Sequence, residues 1–150
     1  MNGNSLELSG RYFVKLYGPD GALKHASHGH NVVTTVGKEF LASFLYSAAV
    51  GASTFTAKYI AIGTGGSSES ASDTGMGTEA SRTTGTVSYL SGQIFQVTAT
   101  FAAGAGTGAI TEYGLFSSST GGTLVSRDTE SAINKGAGDT LTVVYQMTIS

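Results

Sequence analysis

Residues 138–150, GDTLTVVYQMTIS, decide the fold. From Leu141 onward Leu141, Val143, Tyr145, Met147 and Ile149 fall on one side, and Thr142, Val144, Gln146 and Thr148 on the other. Successive side chains of an extended chain point to opposite faces, so this period of two predicts a β-strand with one buried face. Working back, ITEYGLF at 110–116 and TLVSR at 123–127 read as two more strands, joined across the SSSTGG turn cluster at 117–122. The whole stretch from Gly108 to Ser150 is therefore expected to be sheet.

The same reading extends toward the start. RYFVKLY at 11–17 is apolar in both registers and runs into GPDG at 18–21. Pro at the second position and Gly at the fourth suit a type I turn, which predicts a hairpin returning over 22–33. Val36, Phe40, Leu41, Phe44, Leu45 and Ala48 then recur at helical spacing, with Thr35 as the expected N-cap and Glu39 in the expected first turn. Phe40, Leu41, Phe44 and Leu45 are expected to pack on the sheet, each contributing on the order of 1.5–3 kcal/mol. The helix should plug one end of a sandwich or cover its open side.

KYIAIG at 58–63 reads as a strand and is followed by a Gly/Ser/Thr/Asp-rich run over 64–81. Loops of that length inside a domain tend to be functional or disordered, which marks this one as a partner-contacting or mobile segment. Strands follow over 82–90 and 93–101. Short strands, frequent turn signals and one helix predict an all-β protein: an antiparallel β-sandwich or jelly-roll-like domain with one short amphipathic helix. Residues 1–150 are expected to form a single domain, with 1–5 as a polar N-terminal arm.

Composition narrows the function classes. The 150 residues include 22 Gly and one Pro, and only 12% are charged, about half the share of an ordinary globular domain. A surface of hydroxyls, amides and small apolar groups suits close packing against other protein. The formal charge is −2 and the eight Lys and Arg are scattered singly, without the basic face that displaces counterions from phosphates, so nucleic acid is not expected as a partner. There is no cysteine, hence no disulfide framework and no thiolate nucleophile. No apolar run approaches the length of a membrane span and MNGNS does not open a secretion signal, so a soluble, unexported protein is expected, with no membrane partner.

Motifs that would carry chemistry are incomplete. GTGG at 63–66 follows a strand but lacks the Lys-Ser/Thr of a phosphate loop and the third glycine of a dinucleotide loop. His25, His28 and His30 are close in sequence, yet on a strand His28 and His30 share a face that His25 leaves, and no carboxylate lies near to orient them. No Gly-x-Ser-x-Gly elbow is present, and Glu69 and Glu79 read as solvated loop charges. Arg127 with Asp128, and Arg82 near Glu79, read as surface pairs worth about 0–1 kcal/mol. No enzymatic activity is expected: no catalytic, cofactor-binding or metal-binding residue is assigned.

Several stretches together carry a resemblance: NVVTTVGKEFL at 31–41, YIAIGTG at 59–65, TEASR at 78–82, TATF at 98–101, GAITEYGLF at 108–116 and INKGAGDTLTVVYQMTI at 133–149. Over nearly its whole length the chain resembles small structural proteins of tailed bacteriophages, among them capsid decoration or cement proteins. The ITEYGLF and GDTL patterns are also similar to parts of tail-fibre proteins. This resemblance implies a virion protein made in the host bacterial cytoplasm and placed on the outer capsid surface. Its partners would be the major capsid protein and itself, as a dimer or trimer; the alternative station is the tail, neck or fibre attachment. Candidate contact residues are Met1, Asn2 and Asn4 in the arm, Val50 and Phe55 in the apolar 50–57 loop, and Ser67, Ser68 and Met76 in the long loop.

Overall fold

The alternation seen in the sequence is realised as sheet. The computed structural model describes residues 7–52, 56–90 and 92–150. Its strands are β1 (Leu8–Tyr17), β2 (Leu23–Val33), β3 (Tyr59–Gly63), β4 (Glu79–Thr84), β5 (Thr86–Tyr89), β6 (Ile94–Phe101), β7 (Gly108–Phe116), β8 (Leu124–Lys135) and β9 (Thr140–Ile149). One helix, α1 (Thr35–Ala49), separates β2 from β3. Among the described residues the protein is all-β with a single short helix, and every strand pair is antiparallel.

The strand order is β4-β3-β7-β8-β2-β1-β9-β6-β5. Two strands turn corners and so fold this order into two facing layers. Most of β2 pairs with β1, but its last residues, Val32 and Val33, pair with Arg127 and Ser126 of β8. At the other corner β4 pairs with β3 and β5 pairs with β6, although only Gly85 separates them in the chain. A Cβ on Gly85 would stand 2.4 Å from Val97 Cγ1, so the bend needs glycine. The two ends of the strand order are thus the two halves of one bent segment, and the sandwich is nearly a closed barrel.

One continuous core lies between the layers. Val14, Leu16, Val97, Phe101, Leu141 and Val143 come from one side, and Ile60, Ile62, Ile110, Leu115 and Val125 from the other. Each is almost wholly buried and contributes about 1.5–3 kcal/mol. On β9 the inward set Leu141, Val143, Tyr145 and Met147 is buried as the alternation predicts, while Ile149 runs past the core and is 46% exposed. A smaller cluster of Ala61, Phe116 and Leu124 sits on the outer face of the β3-β7-β8 layer, with Tyr59 and Met76 packed on it.

The helix differs from its expected packing. Thr34, not Thr35, is the N-cap: its Oγ1 accepts from Gly37 N at 2.9 Å and donates to the Leu124 carbonyl, tying the helix start to β8. Glu39 consequently lies beyond the first turn. Gly37 is the one buried helical residue, and a Cβ there would come within 2.2 Å of the Val125 carbonyl oxygen. After this close approach the helix leaves the sheet. Phe40 reaches the core, Leu41 and Phe44 are half-buried, and Leu45 is 64% exposed.

Candidate functional site

The densest polar construction is on the outer face of β7 and β8, under the loop that connects β3 to β4. Glu112 projects outward from β7 and is fully buried. Its Oε1 accepts from Gly65 N at 2.9 Å and Thr78 N at 2.7 Å, and its Oε2 accepts from Gly77 N at 2.9 Å. Arg127 of β8 donates to Oε2 through Nε at 3.1 Å and Nη2 at 2.8 Å. The same guanidinium reaches Asp73 Oδ2 at 2.7 Å, the Ser68 carbonyl at 3.2 Å and the Ser67 carbonyl at 2.9 Å. Thr111 Oγ1 donates to the Gly65 carbonyl, and Thr129 Oγ1 to Glu69.

These bonds fix both charges. Burial alone would push the Glu112 carboxyl up; the three backbone N–H groups and Arg127 overcome it and hold the carboxyl below its ordinary value. Burial likewise opposes the Arg127 charge, and Asp73 with Glu112 outweighs it, raising the guanidinium pKa. Gly65 is required by proximity: a Cβ there would stand 2.4 Å from Glu112 Oε1. The loop is therefore strapped at Gly65, Ser67, Ser68, Asp73, Gly77 and Thr78, and β4 takes over from Glu79 the last residues of the stretch read as loop. Outward it displays Ser67, Ser68, Ala71, Ser72 and Thr74. Met76 is half-buried and turned onto the Ala61–Phe116–Leu124 cluster.

Arg127 and Asp128 do not pair. They are consecutive on a strand, so Arg127 faces the loop and Asp128 faces the core, both buried. Period two was the available signal, and it separates these neighbours rather than joining them. Asp128 shares the interior with Tyr12, Tyr113 and Tyr145; the rings of Tyr12 and Tyr113 stack at 5.7 Å. Burial pushes the Asp128 carboxyl up to about 7, partly opposed by the Tyr12 hydroxyl. Asp128 Oδ2 and the hydroxyls of Tyr113 and Tyr145 have no hydrogen-bond partner among the described residues.

Arg82 and Glu79 do pair, but as part of a larger clamp. Arg82 Nε and Nη2 bond the two Glu79 carboxylate oxygens at 2.9 and 2.6 Å, while Nη1 holds the Ser118 and Gly121 carbonyls at 2.9 and 2.7 Å. Its guanidinium lies 3.6 Å from the centroid of the Phe116 ring. The side chain locks the β7–β8 turn to β4.

Two further surfaces are open. The outer face of β1 and β2 places Arg11, Phe13 and Lys15 opposite His30, His28 and Ala26, with Arg11 5.4 Å from the Phe13 ring and His28 6.1 Å from it. His28 and His30 share that face and all three histidines are exposed. Among the described residues no group of three or more His, Cys, Asp or Glu could hold a metal ion, and no helix is long and apolar enough to cross a membrane. The second surface is an apolar groove of about 700 Å³ between α1 and the ends of β1, β6 and β9. Leu8, Phe95, Met147 and Ile149 form its sheet side, Leu41, Phe44 and Leu45 its helix side, and Glu7 and Lys38 stand among its lining residues.

Of the contact residues expected from sequence, Met1, Asn2, Asn4 and Phe55 lie outside the described residues. Val50, the C-cap of α1, is 59% exposed beside the groove's helix. Ser67 and Ser68 are exposed at the strapped loop, on another part of the molecule, so the structure does not gather these residues into one site. The sequence reading does not find Glu112 and sets Arg127 beside the wrong carboxylate, because their signal is long-range: a lone carboxylate within an apolar strand, and an arginine on the neighbouring strand that can cancel it. No family model, no curated protein and no solved structure matches this chain.

Proposed function

We propose that this chain is a non-enzymatic structural protein of a tailed-phage virion, a capsid decoration protein that binds the outer surface of the major capsid protein lattice. The observation that carries the reading is where the resemblance stretches meet. Gly65 of YIAIGTG and Thr78 of TEASR both donate their backbone N–H groups to the Glu112 carboxylate of ITEYGLF. Asn31 of NVVTT donates to Ser126, and Thr34 caps the helix. Asp139 of INKGAGD accepts from Gly136 N and Lys24. The stretches that resemble phage structural proteins thus serve architecture, and what they build is a rigid, largely uncharged surface with a strapped loop standing on it. Such a surface loses little entropy on binding, which favours docking on a repeated protein lattice.

The function follows from differential binding. A clamp that fits only the expanded shell stabilises that state by its extra affinity for it, and many copies add their effects. The test is co-sedimentation of the purified chain with expanded and unexpanded heads of the phage that encodes it, with quantitative protein analysis of virions. Saturable binding to expanded heads, at a copy number commensurate with the capsid subunits, is expected. A handful of copies per particle would sink the head assignment and favour the tail or neck station.

A further inference from the structure

Charge is divided unequally between the two layers of the sandwich. All ten Asp and Glu lie among the described residues, and none is in β2, β1, β9, β6 or β5, the five strands of one layer. The four strand carboxylates, Glu79, Glu112, Asp128 and Glu130, belong to the other layer. The carboxylate-free layer carries Arg11, Lys15, Lys24 and the three histidines. Lys24 is taken up by Asp139 at 2.7 Å, whereas among the described residues neither Arg11 nor Lys15 has a carboxylate within ion-pair distance. Alternation sends Arg11, Phe13 and Lys15 outward from β1, and the register sets His30 opposite Arg11 and His28 opposite Phe13. Arg11 and Lys15 stand about 13 Å apart along the strand, and β2 runs about 5 Å from β1. Both cations and both histidines are exposed; Phe13 is half-buried among them, with the Arg11 guanidinium 5.4 Å from its ring. The positions level with them on β9 and β6 carry Thr or Gln, apart from Val144. The carboxylates that flank β1, Glu7 and Asp20, lie beyond the two ends of this patch.

We infer that the outer face of β1 and β2 is the side on which the chain docks to the phage head, and that the surface it meets there is a carboxylate-bearing patch of protein. The inference rests on the proposed function and deepens it by naming the docking side and the chemistry of the partner. Charge complementarity decides both. In the other layer Arg82 and Arg127 are already bound by Glu79, Asp73 and Glu112, so they have no charge to offer a partner. On this face two permanent cations stand without counter-charges, and only a carboxylate from outside can supply them. A nucleic acid is the poorer match. Its affinity comes from many cations releasing counterions from phosphates, and here there are two, on a chain of net charge −2. Two cations flanking an aromatic ring, beside hydroxyls and amides, have the mixed composition of surfaces where proteins meet, in which Arg and Phe are enriched. Complementary charge also speeds encounter and fixes orientation, which gives each copy one preferred side on the shell.

The experiment is co-sedimentation of the full chain with expanded heads of the phage that encodes it, at about 0.15 M salt, where distant charges are screened and close pairs are not. Arg11→Glu/Lys15→Glu is expected to bind at least about tenfold more weakly than the wild type. Its circular dichroism should be unchanged, because both side chains are exposed. Lys15→Arg should bind like the wild type and Lys15→Gln more weakly. Lys38→Glu alters the net charge as much as Lys15→Glu does, but on α1, and should leave binding unchanged. Should the double variant fail to fold, Thr142→Glu, level with Lys15 on β9, sets a carboxylate into the same face and should weaken binding likewise. Blocking the heads' surface carboxylates with a carbodiimide and ethanolamine should abolish binding of the wild type. Wild-type binding that is indifferent to these reversals, or that survives the blocking, would overturn the inference and leave the decoration role standing. Binding of the chain to duplex DNA at the same salt, lost in Arg11→Glu/Lys15→Glu, would overturn it in favour of a nucleic-acid face. A wild type that binds no heads at all would overturn both the docking side and the decoration role.

Discussion

Replacing Arg127 by methionine asks how much the strapped loop depends on one guanidinium. Methionine keeps most of the aliphatic stem and removes the donors that reach Glu112, Asp73, Ser67 and Ser68. Glu112 would remain buried with three backbone N–H groups but no counter-charge. Deleting one member of a buried ion pair costs about 3–5 kcal/mol, because the other charge is stranded away from water. Against a domain stability of about 5–15 kcal/mol that is roughly a fifth of the total or more. Glu112→Gln should cost a similar amount, since an amide nitrogen would then face Gly77 N and Arg127. The double variant should cost less than the sum of the two by about 0.5–3 kcal/mol. Urea unfolding followed by far-ultraviolet circular dichroism is the assay; at a slope of about 1–3 kcal/mol per molar, the midpoint should fall by roughly 1–5 M. Hydrogen exchange adds a local signature: the amides of Gly65, Gly77 and Thr78 should lose protection in Glu112→Gln before the β9 amides do. An Arg127→Met protein within about 1 kcal/mol of wild type, with these three amides still protected, would refute the reasoning.

Stability should pass through a maximum in mild acid. Asp128 is raised to about 7 from an ordinary value of 3.8, so the folded state holds its proton more tightly and stability falls as pH rises through about 4 to 7. Glu112 is shifted the other way, so its contribution is present above its ordinary value of 4.5 and is lost as pH falls below it. Thermal melts from pH 3 to 8 should show both limbs, Asp128→Asn should flatten only the upper one, and a wild-type profile that does not fall between pH 5 and 8 would contradict the burial of Asp128 as a charge. Val143→Asp places an unpaired carboxylate in the core between the layers and should abolish soluble folded protein; a normally folded variant would remove Val143 from the core. Arg82→Ala should lower stability by about 1–2 kcal/mol and speed exchange in the β7–β8 turn, through loss of two carbonyl contacts and the stacking on Phe116, and an unchanged turn would show the clamp to be idle.

The sheet was legible because its signal is local. Leu141 to Met147, the β1–β2 hairpin and the β3 strand all follow from the period of two and from turn residues within a few positions. What was hidden depends on partners far along the chain. Most of β8 beyond Arg127, with Asp128, Thr129, Glu130 and Asn134, has the composition of a loop and becomes strand only because β7 lies beside it. Adjacency suggests Asp128 as the partner of Arg127, whereas its partner is 15 residues away on β7 and its other contacts are near residue 70. The run over 64–78 looks mobile by composition, and the two side chains that pin it belong to other strands. For α1 the apolar period was right and the depth of burial was not, because Gly37 seats only the first turn against β8.

The bend at Gly85 has a consequence beyond closing the sandwich. A long free strand edge is a template on which another copy can add, and proteins crowded at high local density are the ones most exposed to that hazard. Here the strand order begins and ends on a single segment, in pieces of six and four residues that face different layers. Neither piece offers a flat edge long enough to seed a growing sheet. A molecule built this way can be displayed in dense arrays and still choose its neighbours through side chains rather than through its backbone.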